Sequence, residues 1–174
     1  MKKNLVLTGM MGVGKSTIGR SLSKKLNMRF VDLDRLIEKK ESATINEIFK
    51  QKGEKYFRSL ERKIALKKLK KENSIIALGG GAFIDSRIRK EVLKNCISFW
   101  IDVKIEIILN RSKNLKKRPL LNRGNLKSTF HDIYERRKKV YSLADFKINC
   151  NTVYNLGYPS ILQYVPFPFT PCPN

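Results

Sequence analysis

Apolar positions follow two rhythms along this chain. Short, largely apolar runs at 4–8, 28–34, 73–78 and 96–102, with a shorter segment at 146–149, read as strands of a sheet. Between them, at 18–26, 35–40, 54–71, 85–94, 104–111 and 128–141, the chain has the spacing of helices. Strand and helix alternate almost throughout, which predicts an α/β fold: a three-layer sandwich around a five-stranded parallel sheet.

Local signals place the ends of these elements. Thr44 and Glu47 have the spacing of a capping box, so a helix is expected from 45 to about 51, breaking near Gly53. Asp34 and Ser128 read as N-caps of the helices that follow them. Gly79, Gly80 and Gly81 follow the third strand directly, as a glycine turn leading to a helix near 85. The stretch 112–127 is polar, cationic and broken by Pro119 and Gly124, which suits a lid. From 151 the pattern weakens, and the proline-rich end at about 166–174 is expected to be irregular. No repeat or linker divides residues 1–174, so one domain is expected.

Composition narrows the setting. A chain of 174 residues buries enough surface to fold around one core without disulfides. Cys96, Cys150 and Cys172 match neither a disulfide framework nor a metal spacing, so free thiols and a reducing, cytoplasmic compartment are expected. The run after Lys2 and Lys3 stops at Gly9 without a small-residue cleavage site, and no later run is long enough for a membrane span. The net charge of +22 invites a nucleic-acid partner. Its lysines are scattered over helix faces, as at 63–71, without an arginine-and-aromatic stripe, so anionic substrates or a general bias toward Lys, Asn and Ile compete with that reading, and no nucleic-acid partner is expected.

The most specific chemistry lies at 9–17, GMMGVGKST, between the first strand and the first helix. This is the pattern of a phosphate-binding loop: backbone amides around Gly12, Val13 and Gly14 converge on a polyphosphate at a helix N-terminus. Lys15 would reach the β- and γ-phosphates, Ser16 would ligate magnesium through its hydroxyl, and Thr17 would add a donor near the α-phosphate.

Other candidates are weaker singly. Asp32 and Asp34 close the second strand at alternate positions, where strand period puts them on one side. One could hold a magnesium-bound water while the other accepts a proton from an attacking hydroxyl. Arg58 and Glu61 are three apart on a helix, a spacing common among surface ion pairs. The glycine triplet allows close backbone approach to a ligand or serves as a flexible loop. Trp100 reads as core, and the single His131 as structural or exposed.

Together these features resemble the shikimate kinases, small P-loop enzymes of the nucleoside-monophosphate-kinase type. The resemblance rests on GMMGVGKST at 9–17, DLD at 32–34, FRSLE at 57–61, LGGGA at 78–82, RPLL at 118–121 and RKKVY at 137–141, and covers about 3–150. It implies transfer of the γ-phosphoryl of ATP to the 3-hydroxyl of shikimate, with magnesium, by a monomer. It implies Asp34 as hydroxyl ligand and general base, Asp32 near the magnesium, Arg58 and Arg137 on the shikimate carboxylate, and Gly80 and Gly81 as backbone donors. The acceptor region would span about 34–61. Arg118 would swing over the phosphates from the lid, acting with Lys15 on the transferring group, and Arg111 would lie near the adenine. A gluconate-type or nucleotide kinase would share the phosphate loop without needing this set of acids, arginines and glycines.

Overall fold

A computed structural model describes residues 4–111, 126–150 and 161–163, with Arg111 described by its backbone alone. Five strands form one sheet: β1 Asn4–Thr8, β2 Arg29–Asp32, β3 Ser74–Ala77, β4 Cys96–Asp102 and β5 Phe146–Asn149. Their order is β2-β3-β1-β4-β5 and every adjacent pair is parallel. Helices cover both faces, which is why β1, β3 and β4 read as unbroken apolar runs. Leu5 of β1, with Ile75 and Ile97 beside it in register, lies in the core.

The buried Asn4 ties the N-terminal end of the sheet together. Its amide donates to the carbonyls of Leu69 (3.0 Å) and Lys71, and its oxygen accepts from the Ser74 amide at 3.0 Å. All of its polar atoms are thereby used, as burial demands.

The helices are α1 Lys15–Lys25, α2 Leu33–Glu41, α3 Ile45–Leu69, α4 Ser86–Asn95, α5 Ile105–Arg111 and α6 Leu126–Tyr141. The capping box at Thr44 is present, with the Thr44 amide donating to Glu47 at 2.7 Å and the Glu47 amide to the Thr44 hydroxyl at 3.3 Å. The break expected near Gly53 falls on that residue, whose φ of +77° and ψ of 167° interrupt α3.

Three boundaries differ from expectation. The strand read as 28–34 stops at Asp32, whose carboxylate caps α2 by accepting from the Arg35 amide at 3.3 Å. Asp34 is therefore a first-turn residue and not the cap, and helical geometry rather than strand period relates the two acids. A short 3-10 turn, Ala82–Ile84, precedes α4, and Asp85 caps that helix through the Arg87 and Ile88 amides. Helix α6 starts at Leu126, so Ser128 lies inside it and the last two residues of the expected lid are helical.

Trp100 is core, 3% exposed, with the Lys147 ammonium 4.5 Å above its ring. His131 is exposed, and Cys96 and Cys150 are buried and unbridged. No helix among the described residues is long and apolar enough to cross a membrane.

Candidate active site

Parallel pairing brings the carboxyl ends of β1, β2 and β3 side by side, where open α/β sheets bind ligands. Three connections leave from there: the phosphate loop after β1, the turn into α2 after β2, and the glycine turn after β3.

The phosphate loop turns into α1 through Gly14, whose φ is +95°. Helix α1 has no side-chain cap and no acid in its first turn, so its positive end is presented to the cleft beside it. Lys15 is 9% exposed and folds back over the loop, its ammonium donating to the carbonyls of Gly9 at 2.9 Å and Met10 at 2.8 Å. The cleft is open to solvent and is lined by Gly12, Gly14, Lys15, Ser16 and Thr17 together with Asp32 and Asp34. Val13 turns its side chain into the core, leaving only its backbone to a ligand. Ser16 and Asp32 bring hard oxygen donors to one cleft, which suits magnesium. No group of three or more His, Cys, Asp or Glu able to hold a metal exists among the described residues.

A second cleft adjoins the first and shares Met11, Asp34 and Gly80 with it. Its polar wall holds Arg58, Glu61 and Arg137 with Gly80 and Gly81, and its apolar wall is Ile45, Phe49 and Phe57. Asp34 stands where the two clefts meet.

Arg58 donates to Glu61 at 2.7 Å and to Glu54 at 3.3 Å, and its guanidinium lies 5.1 Å from the Phe57 ring centroid. Burial pulls its pKa down, but Glu61 and Glu54 outweigh burial and hold the guanidinium above its ordinary value. Glu61 corrects the sequence reading: it is 2% exposed, so the pair is a cleft wall and not a surface bridge. Burial pushes the Glu61 carboxyl up, Arg58 pulls against that shift, and the nearby Asp34 charge adds to it.

The glycine triplet makes room for these side chains. A Cβ on Gly79 would lie 2.5 Å from Asp34 Oδ1 and 2.8 Å from Glu61 Oε1, and one on Gly81 would lie 2.5 Å from Arg58 Nη1. Gly80 packs against the phosphate-loop backbone, where a Cβ would stand 3.2 Å from the Met11 nitrogen. Its carbonyl accepts from Arg137 Nη1 at 3.0 Å. Behind the turn, Arg62 pairs with Asp85 at 2.6 Å and Arg89 donates to the Phe83 and Ile84 carbonyls, so the loop is braced and not slack.

Asp34, Arg58, Gly80, Gly81 and Arg137 thus converge on one cleft, and Gly12, Gly14, Lys15, Ser16, Thr17 and Asp32 on its neighbour. Arg111 ends α5, and Arg118 lies outside the described residues, as do 112–125 of the lid, the tail at 166–174 and Cys172. The sequence reading missed Glu61 and Gly79. Glu61 carried a usable signal, since with Phe57 and Leu60 it repeats at the three-and-four spacing of the buried face of α3. Gly79 carried none, because what forbids its side chain comes from two other helices.

Residues 11–155 match the family described as shikimate kinase. The shikimate kinase of Sulfurihydrogenibium sp. (strain YO3AOP1) is 44% identical over 86% of this chain and 89% of its own length. That of Persephonella marina is 40% identical over 84% of this chain and 88% of its own. The structure of the Acinetobacter baumannii shikimate kinase in complex with shikimate superposes with a TM-score of 0.87 at 32% identity, over 93% of this chain and 92% of that one. With a family match across most of its length, relatives well above 30% identity and the same fold, the chain belongs to the shikimate kinase family.

Proposed function

We propose that the two clefts divide one reaction, with MgATP on the phosphate loop and shikimate in the neighbouring cleft. As a member of its family the chain is an ATP-dependent phosphotransferase. It moves the γ-phosphoryl group of ATP to the 3-hydroxyl of shikimate, giving shikimate 3-phosphate and ADP.

The observation that carries the division of labour is Asp34, the one acid among the described residues that lines both clefts. A hydroxyl bound on the acceptor side and directed at it faces the terminal phosphate across the boundary, and its proton passes to the Asp34 carboxylate as the oxygen attacks. Shikimate presents one carboxylate to a cleft holding two guanidinium groups, Arg58 and Arg137, a charge and shape match for forked recognition. Gly80 and Gly81 have the side-chain-free approach that lets backbone donors reach the ring hydroxyls. Ile45, Phe49 and Phe57 cover the apolar face of the ring and exclude water.

On the nucleotide side, amides around Gly12, Val13 and Gly14 and the positive end of α1 meet the phosphates, and Thr17 adds its hydroxyl. Lys15 exchanges the Gly9 and Met10 carbonyls for the β- and γ-phosphates. Ser16 and Asp32 would hold magnesium, which supplies charge neutralisation for the transferring group. Arg111 and Arg118 complete the site by family resemblance, near the adenine and over the phosphates. A reducing, cytoplasmic setting fits the odd number and wide spacing of Cys96, Cys150 and Cys172, and a monomer is the state the family implies.

The test is ADP release from MgATP with shikimate, gluconate or a nucleoside monophosphate supplied separately. Turnover with shikimate alone is expected. Turnover with either of the others at comparable kcat/KM, or none with shikimate despite ATP binding, would overturn the acceptor assignment.

A further inference from the structure

We propose that Tyr141 is a positioning residue that fixes the acceptor cleft against the phosphate loop through the carbonyl of Gly80; this rests on the reading of that cleft as the shikimate site. Tyr141 closes α6 and is completely buried. Its ring is core material, tilted against Trp100 at a centroid distance of 6.2 Å. A buried phenol needs a hydrogen-bond partner, and any carbonyl would satisfy it. Its actual partner is the Gly80 carbonyl, the same oxygen that accepts from Arg137 at 3.0 Å.

The arrangement has three consequences. Residues 137 and 141 are one turn apart on one face of α6, so a single helix supplies both donors to one oxygen. With Tyr141 occupying one side of that carbonyl, Arg137 is confined to the other, and its fork is set in one orientation toward the cleft. The Tyr141 oxygen also lies 3.8 Å from the Met10 sulfur, while Gly80 packs on the Met11 nitrogen. Helix α6, the glycine turn and the phosphate loop therefore meet at one point, which sets the spacing between the bound hydroxyl and the terminal phosphate. Transfer rates are steep in that spacing. Burial pushes the phenol pKa above its ordinary value, so the donor keeps its proton through the working pH range.

Tyr141→Phe removes the donor and keeps the ring. It is expected to raise the shikimate KM about fivefold to tenfold, the effect of losing one buried hydrogen bond, and to lower kcat, while the ATP KM stays within about twofold. KM does not depend on the fraction of enzyme that is folded, so partial misfolding cannot imitate this split. The second arm is a double-mutant cycle with Arg137→Lys. If Tyr141 acts through Arg137 and Gly80, the double variant loses clearly less than the product of the two single losses. A lowered melting temperature with unchanged shikimate KM, an equal rise in the ATP KM, or fully multiplicative losses would overturn the proposal. Wild-type enzyme assayed alongside separates the two claims: failure of wild type to phosphorylate shikimate defeats the cleft assignment, whereas normal wild-type turnover with an unaffected Tyr141→Phe defeats only the role of Tyr141.

Discussion

Gly14 and Gly79 lie on opposite sides of one site and are glycine for different reasons. At Gly14 φ is +95° and a Cβ would meet nothing within 4 Å, so the residue is fixed by backbone conformation alone. At Gly79 the backbone lies outside the left-handed region, and a Cβ would collide with the carboxylates of Asp34 and Glu61. The phosphate half of the site is built by a local chain path. The acceptor half is built by helices arriving from distant parts of the sequence, and its glycines are spaces those helices leave. Damage to the first should be felt by the nucleotide, and damage to the second by shikimate.

The largest expected effect probes the border between the halves. Asp34→Asn keeps shape and removes the proposed base, so kcat should fall roughly 100-fold or more while nucleotide affinity, measured by titration, stays near wild type. A kcat near wild type would show that the proton leaves by another route.

The paired glycine variants sharpen the contrast at an intermediate magnitude. Gly79→Ala forces Asp34 and Glu61 apart, an overpacking strain of about 1–3 kcal/mol, and is expected to raise the shikimate KM about tenfold with little change for ATP. Gly14→Ala meets open space but must hold a left-handed φ, a strain of about 1–2 kcal/mol, and should raise the ATP KM and spare shikimate. Steady-state kinetics with each substrate varied in turn checks both. If both variants affected the same substrate, the division of the site would fail.

A smaller effect should appear in the pH profile. Burial holds the Glu61 carboxyl above its ordinary value of 4.5, against the pull of Arg58. As pH falls through that raised value the carboxyl takes up a proton and its grip on Arg58 weakens. The shikimate KM should therefore begin to climb on the acid side at a pH above 4.5. Glu61→Gln should flatten that climb and leave KM uniformly raised. Stability linkage runs the other way: the folded state binds this proton more tightly than the unfolded chain. The contribution of Glu61 to stability is thus fullest below 4.5 and is lost as pH rises through the folded value. Thermal melts of the two proteins across that range would reveal the difference.

The contrast also explains which residues could be read in advance. Strands β1 and β4 were legible to the residue because mostly apolar runs between polar breaks have few other uses, and β5 because Phe146 and Ile148 alternate with polar residues. The break of α3 was legible because only Gly53 there tolerates a φ of +77°. The end of β2 was not, since Asp32 and Asp34 suit a strand end and a helix start equally, and the bond from Arg35 that decides between them forms only once α2 folds. Glu61 was read as surface because its pairing with Arg58 outweighed its spacing from Phe57 and Leu60, which marked the buried face of α3. What that spacing could not show is that the buried face lies against the glycine turn.

Sequence alone determined the alternating architecture and the phosphate loop, because both are encoded in contiguous residues whose backbone conformation and periodicity are local properties. Tertiary structure alone decided that Glu61 lines a cleft beside Asp34, that Gly79 must lack a side chain, that Asp34 borders both clefts and that Tyr141 and Arg137 share one carbonyl. Each of those facts depends on where a second or third element comes to rest, and residues tens of positions apart leave no mark on one another in a single sequence.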